Sequence, residues 1–239
     1  SCDYFNVQVC LVQNMTATLH LQALYHWCDN GLAPLPELSA IDAKQRRRLS
    51  PLAKLALAAR EGLAQTADLA QIDHILWCSS YGDEHKTLAR LQDMARDEAP
   101  SPAAFATSVH NATAGLYSML YHDDIPSTSM NVGHTEFAHA LSYAHALLQS
   151  QAASQVLLVC ADEPLPEIYA EQGLQQAYAM ACVLQAPHTQ QPANLHLSSI
   201  EIKAQPHTEL TKPQALQFAE FWHGNDHSLQ LDAWQLCKS

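Results

Sequence analysis

Fourteen histidines and seven cysteines are the residues of this sequence best suited to bind a metal, carry a proton or attack an electrophile. Their spacing decides which of these is open to them. There is no HExxH pair and no CxxC pair, so neither a helical zinc site, a zinc knuckle nor a disulfide framework is implied. His134, His139 and His145 share one stretch with helical periodicity. On a helix His134 and His145 lie on nearly one azimuth but roughly 16 Å apart, and His139 points about 140° away from His134. The trio is not a ligand set, and no metal or cofactor is expected. Cys10, Cys78, Cys160 and Cys182 sit inside apolar runs, where a thiol behaves as a small hydrophobe. Cys160 is the one candidate for a non-standard nucleophile, although an apolar surrounding raises a thiol's pKa. No glycine run of the GxGxxG or GxxxxGK[ST] kind occurs, nor a GxSxG elbow, which disfavours nucleotide binding and the common serine-hydrolase scaffold.

The formal net charge of −12 disfavours a nucleic-acid partner, whose phosphates it would repel. No run approaches the ~20 apolar residues of a membrane span. The opening Ser1-Cys2-Asp3 leads into alternating hydrophobics without a basic patch and apolar signal core, so a cytoplasmic location is expected. One local exception to the acidity stands out. Lys44, Arg46, Arg47, Arg48, Lys54 and Arg60 place half of the twelve basic residues in one stretch, either a solvated helix entrance or a dock for an acidic partner.

The elements that would position these residues follow from periodicity. Phe5, Val7, Val9 and Leu11 alternate with Asn6, Gln8 and Cys10 as a half-buried strand does. Ile72–Cys78, Val156–Cys160, Ala179–Leu184 and Leu195–Ile202 read as further strands. Ser50-Pro51 is a helix start, with Leu52, Leu55, Ala59 and Leu63 on one face. Glu84–Arg96, Ala112–Tyr121, Thr135–Ser150 and Pro213–Trp222 read as further helices, and Ala186–Ala193 as a surface loop. Strands alternating with helices predict an α/β fold with a mixed, mostly parallel sheet covered by helices. One domain over 1–239 is expected, its core reaching about residue 202 and an extension occupying about 203–239.

Four segments in order carry a resemblance over roughly residues 40–200. Pro100–Gly115 (PSPAAFATSVHNATAG), Ile125–Leu141 (IPSTSMNVGHTEFAHAL), Leu157–Glu163 (LLVCADE) and Arg46–Leu57 (RRRLSPLAKLAL) resemble signatures of β-ketoacyl synthases of the thiolase superfamily. The likeness is greatest to chain-length-factor-like subunits, particularly those of bacterial aryl polyene biosynthesis. It implies the N-terminal half of a thiolase-like fold. It also implies a departure from catalysis. Active members place a cysteine where the helix after the strand begins, and there the helix dipole favours thiolate. In this sequence that position falls on His134, flanked by Gly133 and Thr135, and an imidazole cannot form the thioester of a Claisen condensation. The family's two assisting histidines come from a second half of the fold, of which His223-Gly224-Asn225 is a weak echo.

The resemblance therefore implies no catalytic residue and a full-length β-ketoacyl-ACP synthase as heterodimer partner, with acyl carrier protein reached through that partner. Ser127, Thr128, Ser129, Met130, Asn131 and Val132 would form the interface strand. Phe105, Val109, His110, Asn111 and Phe137 would border an acyl tunnel, and Arg46, Arg47 and Arg48 would dock the carrier or the partner. Two other readings stand beside it: an independent acyl-transferring or acyl-hydrolysing enzyme with a nucleophile such as Cys160, and a stand-alone acyl-binding module.

Overall fold

The longest strand, β1 (Thr16–Cys28), escapes periodicity because its alternation changes phase halfway. The computed structural model describes residues 15–31, 34–98, 101–131, 137–172, 176–200 and 212–239; the expected strand Phe5–Leu11, Val132 and His134 lie outside them. In β1, Leu21 pairs with Leu184 and Ala23 with Val183, leaving Gln22 as a β-bulge. A one-residue insertion exchanges the two faces of a strand. Ala17, Leu19 and Leu21 accordingly point into one hydrophobic cluster with Leu24 and Cys28, and Ala23, Tyr25 and Trp27 into the other.

Beyond β1 come α1 (Ala43–Arg46), α2 (Pro51–Ala64), β2 (His74–Ser79), α3 (Glu84–Ala95), α4 (Pro102–Ala106), α5 (Ala112–Tyr121), β3 (Ser127–Asn131) and α6 (Phe137–Gln149). The remainder is β4 (Gln155–Asp162), a 3-10 turn at Glu167–Gln172, β5 (Tyr178–Gln185), β6 (Leu195–Ser199), α7 (Gln214–His223), β7 (Ser228–Leu231) and β8 (Trp234–Lys238). The strands form one sheet in the order β3-β2-β4-β5-β1-β6-β8-β7. Helices α2 and α5 contribute to the cluster on one face, and α6 and α7 to the cluster on the other.

The α/β class and the mixed sheet are as expected, but the expectation of a mostly parallel sheet is corrected. Only β2 is flanked by parallel neighbours, β3 and β4. The pairs β4–β5, β5–β1, β1–β6, β6–β8 and β8–β7 are antiparallel. Helical crossovers lead from β2 to β3 and from β3 to β4, as parallel pairs require, whereas β5 and β1 join the sheet antiparallel to their neighbours. The hairpin β7–β8 is also new. Its turn uses Asp232 at φ 46°, and its strands of 4 and 5 residues are too short to show a period. Among the described residues no helix is long and apolar enough to cross a membrane.

Local chemistry explains the helix ends. Ser50 caps α2, its Oγ accepting from the Ala53 N–H at 3.2 Å, and Pro51 opens the first turn. Lys238, at the end of β8, closes α7 by donating to the carbonyls of Phe221, Trp222 and Gly224, where helix termini leave acceptors without partners.

Gly62 lies where α2 crosses β1, and a Cβ there would stand 2.5 Å from Cζ of Tyr25. Gly62→Ala should gain up to ~1 kcal/mol of helix propensity but lose about 1–3 kcal/mol to overpacking. The expected outcome is a lower melting temperature in thermal denaturation; a higher one would show that the Tyr25 ring moves aside freely.

Candidate functional site

In sheets with parallel strands, ligands bind beyond the carboxyl ends of those strands, and here those ends are the exits of β3, β2 and β4. The exit of β4 is occupied by Asp162, only 1% exposed. Its carboxylate accepts from Ser79 Oγ at 2.6 Å, from the Ser80 N–H at 2.8 Å and from the Tyr178 hydroxyl at 2.9 Å. Burial pushes its pKa up, and the hydrogen bonds from Ser79, Tyr178 and Ser80 pull it back. Ser79 Oγ in turn accepts from the Gly82 N–H at 2.8 Å. Gly82 has φ +70°, and a Cβ there would stand 3.1 Å from Cδ2 of His110, so the turn needs glycine on both counts. His110 Nε2 lies 3.3 Å from the Ser79 carbonyl. One buried carboxylate thus fixes the exits of two strands and the seat of the α4–α5 connection.

The turn after β2 leads into α3 through Asp83, whose side chain caps the helix at the Lys86 N–H and pairs with Lys86 Nζ at 3.2 Å. Lys86 Nζ also donates to the Thr107 carbonyl at 3.2 Å, tying α3 to the end of α4. Beside Asp162, Glu163 keeps Oε1 buried without a hydrogen-bond partner. Burial raises its pKa, His85 and Lys86 opposing and Asp83 and Asp162 adding. Where α6 begins, the Phe137 N–H donates to Gln214 Oε1 at 3.2 Å, and Gln214 Nε2 donates to Asp232 Oδ2 at 2.8 Å. Gln214 is 2% exposed, a clamp from α7 onto the first turn of α6.

The expected site residues that are described fall into four places. Phe105, on α4, is 61% exposed; Val109 is half-buried and His110 and Asn111 are exposed in the connection to α5. Phe137 lies apart from these four, buried with Phe218 in the cluster under α6 and α7, ring centroids 5.0 Å apart. Ser127, Thr128, Ser129, Met130 and Asn131 form the edge strand of the sheet. The Ile75 N–H donates to the Pro126 carbonyl, and Ile75 is in register with Ser127. In a parallel ladder this turns the backbone groups of Thr128 and Met130 towards β2 and those of Ser127 and Ser129 outward. Arg46 ends α1, and Arg47 and Arg48 follow it exposed. Arg48 also lines an open cleft of about 410 Å3 together with His85, Lys86 and Arg90.

Cys160 is fully buried between Cys78 and Cys182, and burial, with those thiols and Asp162, holds its pKa well above the usual range. A thiol so placed is inert as a nucleophile. Among the described residues no group of three or more His, Cys, Asp or Glu side chains is placed to hold a metal ion. The Asp162 network and Gln214 went unrecognised as a unit in the sequence. An acidic residue closing an apolar run is the signal for the first; the second, a glutamine opening a helix, has none.

In sequence, the β-ketoacyl synthase, N-terminal domain family matches residues 22–236. No curated protein matches the chain. In structure, the chain is similar to one from the ketosynthase ApeO in complex with its chain length factor ApeC from Xenorhabdus doucetiae. The TM-score is 0.77 at 23% identity, covering 92% of this chain and 99% of that one. It is also similar to the ishigamide ketosynthase/chain length factor, with TM-score 0.57, 14% identity and coverage of 75% and 65%. A third likeness is to AntDE:AntF, a type II PKS acyl-carrier protein in complex with its ketosynthase, with TM-score 0.51, 14% identity and coverage of 72% and 63%. At these identities the likeness is one of fold.

Two measurements check this description. Asp162→Ala leaves several buried donors without an acceptor and should cost about 3 kcal/mol or more in denaturant unfolding, against about 1 kcal/mol for Tyr178→Phe. Among the five described cysteines, mass-mapped alkylation of the native chain should modify Cys28 and Cys237 and spare Cys78, Cys160 and Cys182; native labelling of Cys160 would contradict its enclosure.

Proposed function

The chain belongs to the family of β-ketoacyl synthase N-terminal domains, and from that membership we propose that it is a non-catalytic, chain-length-factor-like partner of an active β-ketoacyl-ACP synthase. The observation that carries this is strand β3. It is one edge of the sheet, with part of its backbone turned outward, and in sequence it is followed by Val132-Gly133-His134-Thr135-Glu136, a segment without a cysteine. An open edge is a template for another strand. A thiol-free segment at the family's nucleophile position leaves condensation to the chain that supplies the strand. The near-complete coverage of a chain from a ketosynthase–chain length factor complex supports the same reading, and the enclosure of Cys160 argues against an independent enzyme using that thiol.

In this role Phe105, Val109, His110 and Asn111 present a partly apolar surface that borders the growing acyl chain at the subunit boundary, while Phe137 packs in the core under α6 and α7. The product class is an aryl polyene or a related fatty-acid-like polyketide. Arg46, Arg47 and Arg48 offer charge to the carrier protein or to an acidic face of the partner.

Co-expression with full-length ketosynthases, followed by gel filtration, tests the proposal. A heterodimer with condensing activity is expected, whereas the isolated chain, and its His134→Cys variant, should condense nothing. Ser129→Pro removes an outward N–H without touching the β2 ladder and should abolish co-elution while leaving the melting temperature of the isolated chain nearly unchanged. Condensation of malonyl and acyl carrier thioesters by the isolated chain would sink the proposal.

A further inference from the structure

Helix α7 is held at both ends by side chains. At its start Gln214 clamps the first turn of α6. At its end the ring of His223 stacks on that of His26, near the end of β1, with centroids 5.4 Å apart and 30° between planes. The charged groups around this stack come from three elements. Glu220 on α7 is ion-paired with Lys212 in the segment before it, and Lys238 of β8 sits under the α7 terminus, bonded to three carbonyls and placed over the Phe221 ring. On β5 the register partner of His26 is Met180, which carries no charge. The one carboxylate among them, that of Glu220, is already engaged by Lys212. Protons on both rings would set two like charges face to face, with His26 half-buried and His223 exposed.

We propose that the His26–His223 stack is an acid-sensitive latch, which keeps the end of α7 on β1 while His26 is neutral and releases it when both rings carry a proton. The titration has the matching sign. Burial and His223 push the pKa of His26 below its ordinary 6.5, Glu220 opposing and Lys212 adding. A group so depressed contributes its full stability above the unfolded value and loses it as pH falls below that value towards the lowered one.

Hydrogen exchange, corrected for intrinsic rates, tests the latch in the full chain at about pH 7.5 and about pH 5.5, on either side of an imidazole's titration. Protection of the α7 amides should fall about tenfold for each pKa unit of depression that the shift crosses, while that of α2 holds. His26→Phe, which keeps a ring and removes the proton site, should abolish the difference, and His223→Phe, which leaves the burial of His26 in place, should reduce it. If His26→Phe does not fold, His26→Gln serves the same purpose. Equal losses in α7 and α2, no loss in the wild type, or a pH effect that survives in His26→Phe would overturn the proposal.

Discussion

A carboxylate closed off from water and surrounded by donors is the constraint on which the rest of this structure turns. Asp162 gathers bonds from Ser79, Ser80 and Tyr178, so the exit of β2, the exit of β4 and the entry of β5 converge on two oxygens. Removing water from a carboxylate costs far more than any one hydrogen bond returns, and only a complete set of donors makes the burial tolerable. That completeness makes the arrangement rigid. The Gly82 turn, the cap of α3 by Asp83 and the resting place of His110 all follow from it.

Much of the fold was legible in the sequence wherever local chemistry and packing agree. Ser50-Pro51 marks the start of α2, and the expected span of α5 is the observed one. The apolar runs ending in Cys160 and Leu184 lie in β4 and β5, buried on both faces. The elements that stayed hidden share a physical cause, since each depends on a contact distant in sequence. Strand β1 owes its irregular pattern to serving both clusters in turn. The β7–β8 hairpin has strands too short to carry a period, and is held by β6 and α7. Strand direction depends on what connects consecutive strands, which periodicity does not report.

The candidate site was legible to a smaller degree, and mainly through resemblance. The motif runs led to β3, the α4–α5 connection and the start of α6, which the fold places at or near the carboxyl end of the parallel strands. Phe137 shows the limit of that route: near β3 in sequence, it is buried on the opposite side of the sheet from Tyr117 and the α5 cluster. Tyr178 and Gln214 matter through partners 16 and 77 residues away, and nothing in their own neighbourhoods announces it.

The bulge at Gln22 has a bearing on how the sheet finds its register. Successive positions of a strand are odd or even, and each class belongs to one face. By inserting one residue, Gln22 changes parity between the halves of β1, so that Leu19 and Leu21 match Leu24 rather than Ala23 or Tyr25. A strand without such a mark, slipped by one position, would fail on one count. Here the same slip sets the first half's leucines towards water and moves Tyr25 and Trp27 out from under α2, so the mistake is detected twice. The bulge thus acts as a check digit on the pairing of the central strand.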